Sequence, residues 1–175
     1  VFHNEQYLAT ADEMAGGHIK IWDISDYNNI FEVSSFQVNN SHTVHNIYFK
    51  NDLIIGSWYA DGTRVLDVTD PYNPIEVGFY DTTELEGLYV GNWGTYVYLP
   101  SGLIISSDSE SGLYILEMGI SILHDVHLGL VPGSHSLPQF GHMGKCVYIV
   151  FARNLNSNTA SNSSVPRFAE SLFMW

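Results

Sequence analysis

The chain has 175 residues, 45% of them hydrophobic, and a formal net charge of −13. It is long enough to bury a real core, and its acidic balance excludes a nucleic-acid binder, which needs clustered Lys and Arg to displace counterions from phosphate. The longest apolar runs, such as "CVYIVFA", are far too short to span a bilayer, so no transmembrane segment is expected.

In chain order, "VFHNEQYL" (1–8) matches only the end of a strand and the turn after it, as in "YFKNDL" further on, so the first unit starts part-way. "LATADEMAGGHIKIWDISD" (8–26) reads as a β-hairpin, two alternating apolar runs about a turn. "DYNNIFEV" (26–33) leads into a short strand ending at Phe36, and "HNIYFKND" (45–52) is a strand with a turn. "LIIGSWYADGTRVLDVTD" (53–70) repeats the hairpin, with Ala60-Asp61-Gly62 carrying the turn chemistry. "DPYNPIEV" (70–77) repeats 26–33, and its strand ends at Tyr80. "TYVYLPSG" (95–102) takes the place of 45–52, and "LIISSDSESGLYILEMGI" (103–120) is a third hairpin, with Gly112 over Gly62 and Leu116 over Leu66.

The expected fold class is therefore all-β, with hairpins near 8–22, 53–68 and 103–117 and little or no helix. Four strands in a period of about 44–50 residues is the sequence form of a β-propeller blade. At that period the chain holds at most three to four blades, whereas propellers typically close with about 4–8, so only part of a ring is expected here. Residues 1–118 are assigned to the blades, the first truncated. The charge pattern changes beyond them: 1–118 hold 17 acids against Lys20, Lys50 and Arg64, whereas 119–175 hold only Asp125 and Glu170. In that C-terminal segment "GKCVYIVFARN" (144–154) reads as a further strand and possible partial blade. "NLNSNTASNSSVP" reads as a flexible Ser/Asn-rich loop.

The segments "IKIWDISDYNNIFEV", "HNIYFKNDLIIGSWYADG" and "TRVLDVTDPYNPIEVGFYDT" resemble the LVIVD-repeat propellers, in particular the choice-of-anchor B family, over roughly 1–118. "NWGTYVYLPSGLIISSDSESGLYILEM" is similar to that family's last blade. The resemblance implies an extracellular or cell-surface protein with no agreed enzymatic activity. No familiar sorting signal or hydrophobic anchor occurs in 119–175.

Asp23, Asp67 and Glu117 recur at one place in the repeat, where a carboxylate can accept backbone N–H groups of the following turn, which is a scaffold role. Trp22 and Leu66 are expected to pack between blades, and Pro71, Asn73 and Pro74 to shape a turn. Function on a repeated scaffold belongs to parts that differ between copies, here the hairpin tips and the approaches to the inner strands. His45, Asn46, Trp58, Tyr59, Asp61 and Trp93 are the candidate ligand-binding residues, with His42 beside them. Asp12, Glu13, Asp108 and Glu110 are candidate ligands for calcium or another divalent cation, since oxygen donors suit Ca²⁺ and a nearby His favours a transition metal.

"HDVH" (124–127) lacks a third ligand at a metal-site spacing. No G-x-S-x-G elbow, P-loop or dinucleotide pattern occurs, and Cys146 sits in an apolar run where an inert thiol is expected. Asn39-Asn40-Ser41 and Asn162-Ser163-Ser164 match the glycosylation pattern. The expected function is a non-catalytic propeller module that binds a surface protein or glycan, or joins further blades or copies in a larger assembly. The alternative is a propeller enzyme of hydrolase or lyase type with a His/acid site, metal-assisted or not. Convergence of three or more of Asp12, Glu13, His45, Asn46 and Asp108 within bonding reach would favour the enzyme.

Overall fold

The computed structural model describes residues 1–121 and 147–154. All their regular structure is β, with no helix among the described residues. The first sheet has three strands in the order β1 (Tyr7–Ala11), β2 (Ile19–Asp23) and β3 (Phe31–Phe36). The second has four in sequence order: β4 (Ile47–Lys50), β5 (Leu53–Ser57), β6 (Thr63–Asp67) and β7 (Ile75–Tyr80). The third also has four: β8 (Asn92–Tyr96), β9 (Ile104–Asp108), β10 (Gly112–Ser121) and β11 (Val147–Asn154). Neighbouring strands are antiparallel, and none of the three sheets closes on itself.

The three hairpins lie where the alternation put them, with registers Leu8↔Trp22, Ile54↔Leu66 and Leu116↔Ile104. The strand expected in 95–102 begins earlier, at Asn92, and ends at Tyr96. The expected turn into the next strand follows, closed by Gly102 N–H donating to Leu99 O (2.9 Å). The strand expected in 144–154 is β11. It pairs with β10 as the outer strand of the third sheet, in register from Ser121↔Val147 to Tyr114↔Asn154. "HDVH", Cys146 and the Ser/Asn-rich stretch beyond Asn154 lie outside the described residues.

The repeated carboxylates act locally. Asp23 Oδ1 accepts from Ser25 N–H (2.9 Å) and Oγ–H (2.6 Å), which holds its carboxyl below the usual range. Asp67 Oδ1 likewise accepts from Thr69 N–H (2.8 Å) and Oγ1–H (2.6 Å). The next turn repeats as well: Asp26 accepts Asn28 N–H and Asp70 accepts Tyr72 N–H, at 2.9 and 3.0 Å. Glu117 differs because β10 does not turn there; it is exposed within a strand that runs on to Ser121.

Alternation along the second sheet gives it two buried faces. Ile54 and Leu66 point to the first sheet and pack with Ile19, Ile21, Val44, Trp58 and Val68. Their neighbours Ile55 and Val65 point the other way and pack with Val97, Ile104, Tyr114 and Leu116 of the third. Ile54, Ile55, Val65 and Leu66 are each fully buried, and burial of a side chain of this size contributes about 1.5–3 kcal/mol. A one-residue slip of β5 would exchange its two faces, so this double burial specifies the register. Leu66 packs between sheets as expected. Trp22, its counterpart, is half-buried on the first sheet and donates Nε1–H to Thr10 Oγ1 at 3.0 Å.

Candidate functional site

Elements of all three sheets meet around Tyr59, beyond the end of β5. Its backbone forms a two-way bridge with Asn92 at the start of β8, each N–H donating to the other's carbonyl at 3.0 Å. The bridge needs unusual backbone on both sides. Tyr59 has φ +40°, a region that few non-glycine residues enter. Gly91 has φ +90°, and a Cβ there would lie 2.7 Å from Tyr59 O, so glycine makes the close approach possible. The Asn92 side chain is fully buried behind the bridge, with its amide 2.6 Å from Thr63 Oγ1.

Along this junction the aromatic rings form a continuous series. Trp93 stacks on His45 with centroids 4.6 Å apart, His45 meets Tyr59 edge-on at 5.5 Å, and Tyr59 meets Tyr89 edge-on at 5.4 Å. Trp93 is the unpaired residue of a bulge between Asn92 and Gly94, and it and Tyr89 are both more than half exposed. Tyr59, between them, is 4% exposed. Its hydroxyl donates to Glu13 Oε1 (2.6 Å), at the tip of the β1–β2 hairpin. Burial and then this carboxylate hold the Tyr59 phenol far above its ordinary range.

His45 is also held on its other ring edge. Asn46 Nδ2 lies 3.1 Å from His45 Nδ1, and Asn46 Oδ1 accepts from Ser57 Oγ at 2.8 Å. Donation by Asn46 makes Nδ1 the acceptor and leaves a proton on Nε2, which faces Glu13 Oε1 at 4.0 Å. At that distance the Nε2–H of the neutral ring points toward the carboxylate without a direct hydrogen bond.

The site residues expected from sequence thus divide. His45, Asn46, Tyr59, Trp93 and Glu13 come together. Trp58 is fully buried in the core between the first and second sheets, edge-on to Phe36 at 5.8 Å, and presents no face to solvent. Asp61 belongs to a separate buried group: its Oδ1 lies 3.0 Å from His42 Nδ1, an ion-pair distance without hydrogen-bond alignment. His42 Nε2 in turn reaches Glu86 Oε2 at 3.3 Å.

The four acids proposed for a cation have individual partners. Asp12 pairs with Lys20 Nζ across the hairpin at 2.9 Å. Asp108 is 5% exposed and caps the β9–β10 turn, accepting Glu110 N–H (3.0 Å) and Ser111 N–H (2.7 Å) on Oδ1 and Thr82 Oγ1–H (2.7 Å) on Oδ2. Burial alone would raise its carboxyl, but these hydrogen bonds outweigh it and hold the group below the ordinary range. Glu110 Oε2 accepts Gly91 N–H at 2.7 Å. Among the described residues no group of three or more His, Cys, Asp or Glu is arranged to hold a metal ion.

Of the five residues whose convergence would favour an enzyme, His45 and Asn46 are within hydrogen-bond reach and Glu13 stands farther off, while Asp12 and Asp108 are engaged elsewhere. Tyr89, Ser57 and Glu86 went unrecognised in the sequence. Nothing local marks them, since each acts on a residue distant in the chain or on another sheet.

No helix among the described residues is long and apolar enough to cross a membrane. No family model, no curated protein and no solved structure matches this chain.

Proposed function

We propose that the chain is part of an extracellular or cell-surface β-propeller of the LVIVD-repeat, choice-of-anchor B kind. Its role is then non-catalytic recognition of a surface protein or glycan. The repeat supports the propeller reading: three consecutive antiparallel sheets, with the middle one buried on both faces by its neighbours, are what adjoining blades require. The function is carried by one observation, the ring series Trp93–His45–Tyr59–Tyr89 at the junction of the three sheets, exposed at both ends and tied to Glu13. Half-exposed aromatic rings beside a carboxylate and an imidazole are typical of recognition surfaces, where flat apolar faces give affinity and polar groups give orientation.

The test is an array of glycans and surface proteins probed with the wild-type chain and with Trp93→Ala. At least one ligand should lose about tenfold or more in affinity on removal of the indole, with unchanged melting temperature. An array on which every bound ligand is indifferent to Trp93→Ala would remove the reading.

A further inference from the structure

The charges around this junction narrow the kind of group it can receive. Residues 1–118 hold three cationic side chains against 17 acids, and each of the three is engaged internally. Lys20 pairs with Asp12 at 2.9 Å, and Lys50 Nζ donates to the carbonyls of Val97 and Gly102 at 3.1 and 3.3 Å. Arg64 donates to Asp61 O (2.6 Å) and Glu76 Oε1 (3.0 Å) and lies over the Phe79 ring. An anionic ligand would find no uncommitted Lys or Arg within that span. At the junction itself Glu13 is 45% exposed, and its Oε2 takes no hydrogen bond among the described residues.

The exposed rings of Trp93 and Tyr89 and the Glu13 carboxylate bonded to Tyr59 between them attract the same partner, a cation, through the ring quadrupole and through direct charge pairing. The extent of the series bears on size. Centroid steps of 4.6, 5.5 and 5.4 Å give the series a contour length of at most four to five extended residues, at roughly 3.3 Å each, which leaves room for more than a single ammonium group. Resting on the recognition reading above, we infer that the junction docks a basic segment of a partner protein. An arginine or lysine of that segment pairs with Glu13 while its neighbours lie along Trp93 and Tyr89. A neutral glycan would use the same rings but would draw nothing from the acidic surroundings.

Calorimetric titration of the full chain tests this with three probes: a short peptide bearing two arginines, the same peptide with glutamates in their place, and a neutral oligosaccharide. The arginine peptide should bind, weaken as salt screens the charges, and lose about tenfold or more in affinity on Glu13→Gln and on Trp93→Ala. The glutamate peptide should not bind. Both substitutions are at exposed positions, and an unchanged melting temperature verifies the fold. Silence of the arginine peptide, or binding indifferent to both substitutions, would overturn the inference. Oligosaccharide binding that Trp93→Ala abolishes, with the arginine peptide silent, would overturn it too while leaving surface recognition standing.

Discussion

The Tyr59 hydroxyl donates to Glu13 Oε1 at 2.6 Å, joining the tips of two hairpins 46 positions apart in the chain. The bond links the buried middle of the ring series to a half-exposed carboxylate on another sheet. Tyr59→Phe keeps the ring and removes the donor, so it should cost about 1.5 kcal/mol in urea unfolding, the lower end of the range for a bond to a charged group because Glu13 retains access to water. Double substitution with Glu13→Ala, which removes the acceptor, should be less than additive. Full additivity would show that the bond contributes nothing in solution.

The same phenol makes a prediction about alkaline pH. Its folded pKa stands above the ordinary 10.0, so its stabilising contribution is intact below pH 10 and declines as pH rises beyond it, because the unfolded chain ionises first. Spectrophotometric titration should show that Tyr59→Phe leaves the tyrosine ionisation near pH 10 unchanged while the protein stays folded. Loss of one ionising tyrosine in that range would contradict the buried, hydrogen-bonded phenol.

Asp108 makes the opposite prediction. Its folded pKa lies below the ordinary 3.8, so its stabilisation is complete above that value and is lost as pH falls through the folded pKa. Asp108→Ala leaves Thr82 Oγ1–H and two turn N–H groups without their acceptor and should cost about 1–3 kcal/mol at neutral pH. The loss should shrink in acid, where wild type also forfeits the charge. A pH-independent difference would mean that the carboxylate charge is not what the turn uses.

Gly91→Ala tests the backbone bridge on which the junction rests. A Cβ 2.7 Å from Tyr59 O, on a residue at φ +90°, forces the β8 end and the hairpin tip apart. A loss of more than about 1 kcal/mol is expected, together with weakened binding of any ligand that depends on Trp93. A variant as stable as wild type would show that the junction tolerates displacement.

Trp58→Ala measures the interior between the first and second sheets. Removal of a fully buried indole that packs on Phe36 should cost about 3–5 kcal/mol by equilibrium unfolding. The indole Nε1–H has no hydrogen-bond partner among the described residues, so Trp58→Phe should lose much less. A small loss on Trp58→Ala would indicate that the sheets separate readily there.

Much of the scaffold was legible from residues alone. Alternation in 53–68 determined a hairpin because the period-2 pattern and the Ala60-Asp61-Gly62 turn are local properties of the chain. Gly62 shows why: the turn holds it at φ +76°, a conformation that favours glycine whatever lies around it. The carboxylates Asp23 and Asp67 were legible for the same reason, since each bonds a residue only two positions on. Tertiary structure alone decided which tryptophan is buried and which exposed, because Trp58 turns into the face shared with the first sheet while a bulge brings Trp93 outward. It likewise decided that Asp108 serves Thr82 and its own turn, that Asp12 takes Lys20, and that Glu13 takes Tyr59. Composition makes such carboxylates interchangeable; hairpin register assigns Lys20 to Asp12, while the packing of one sheet on the next brings Tyr59 to Glu13 and Thr82 to Asp108 within 3 Å.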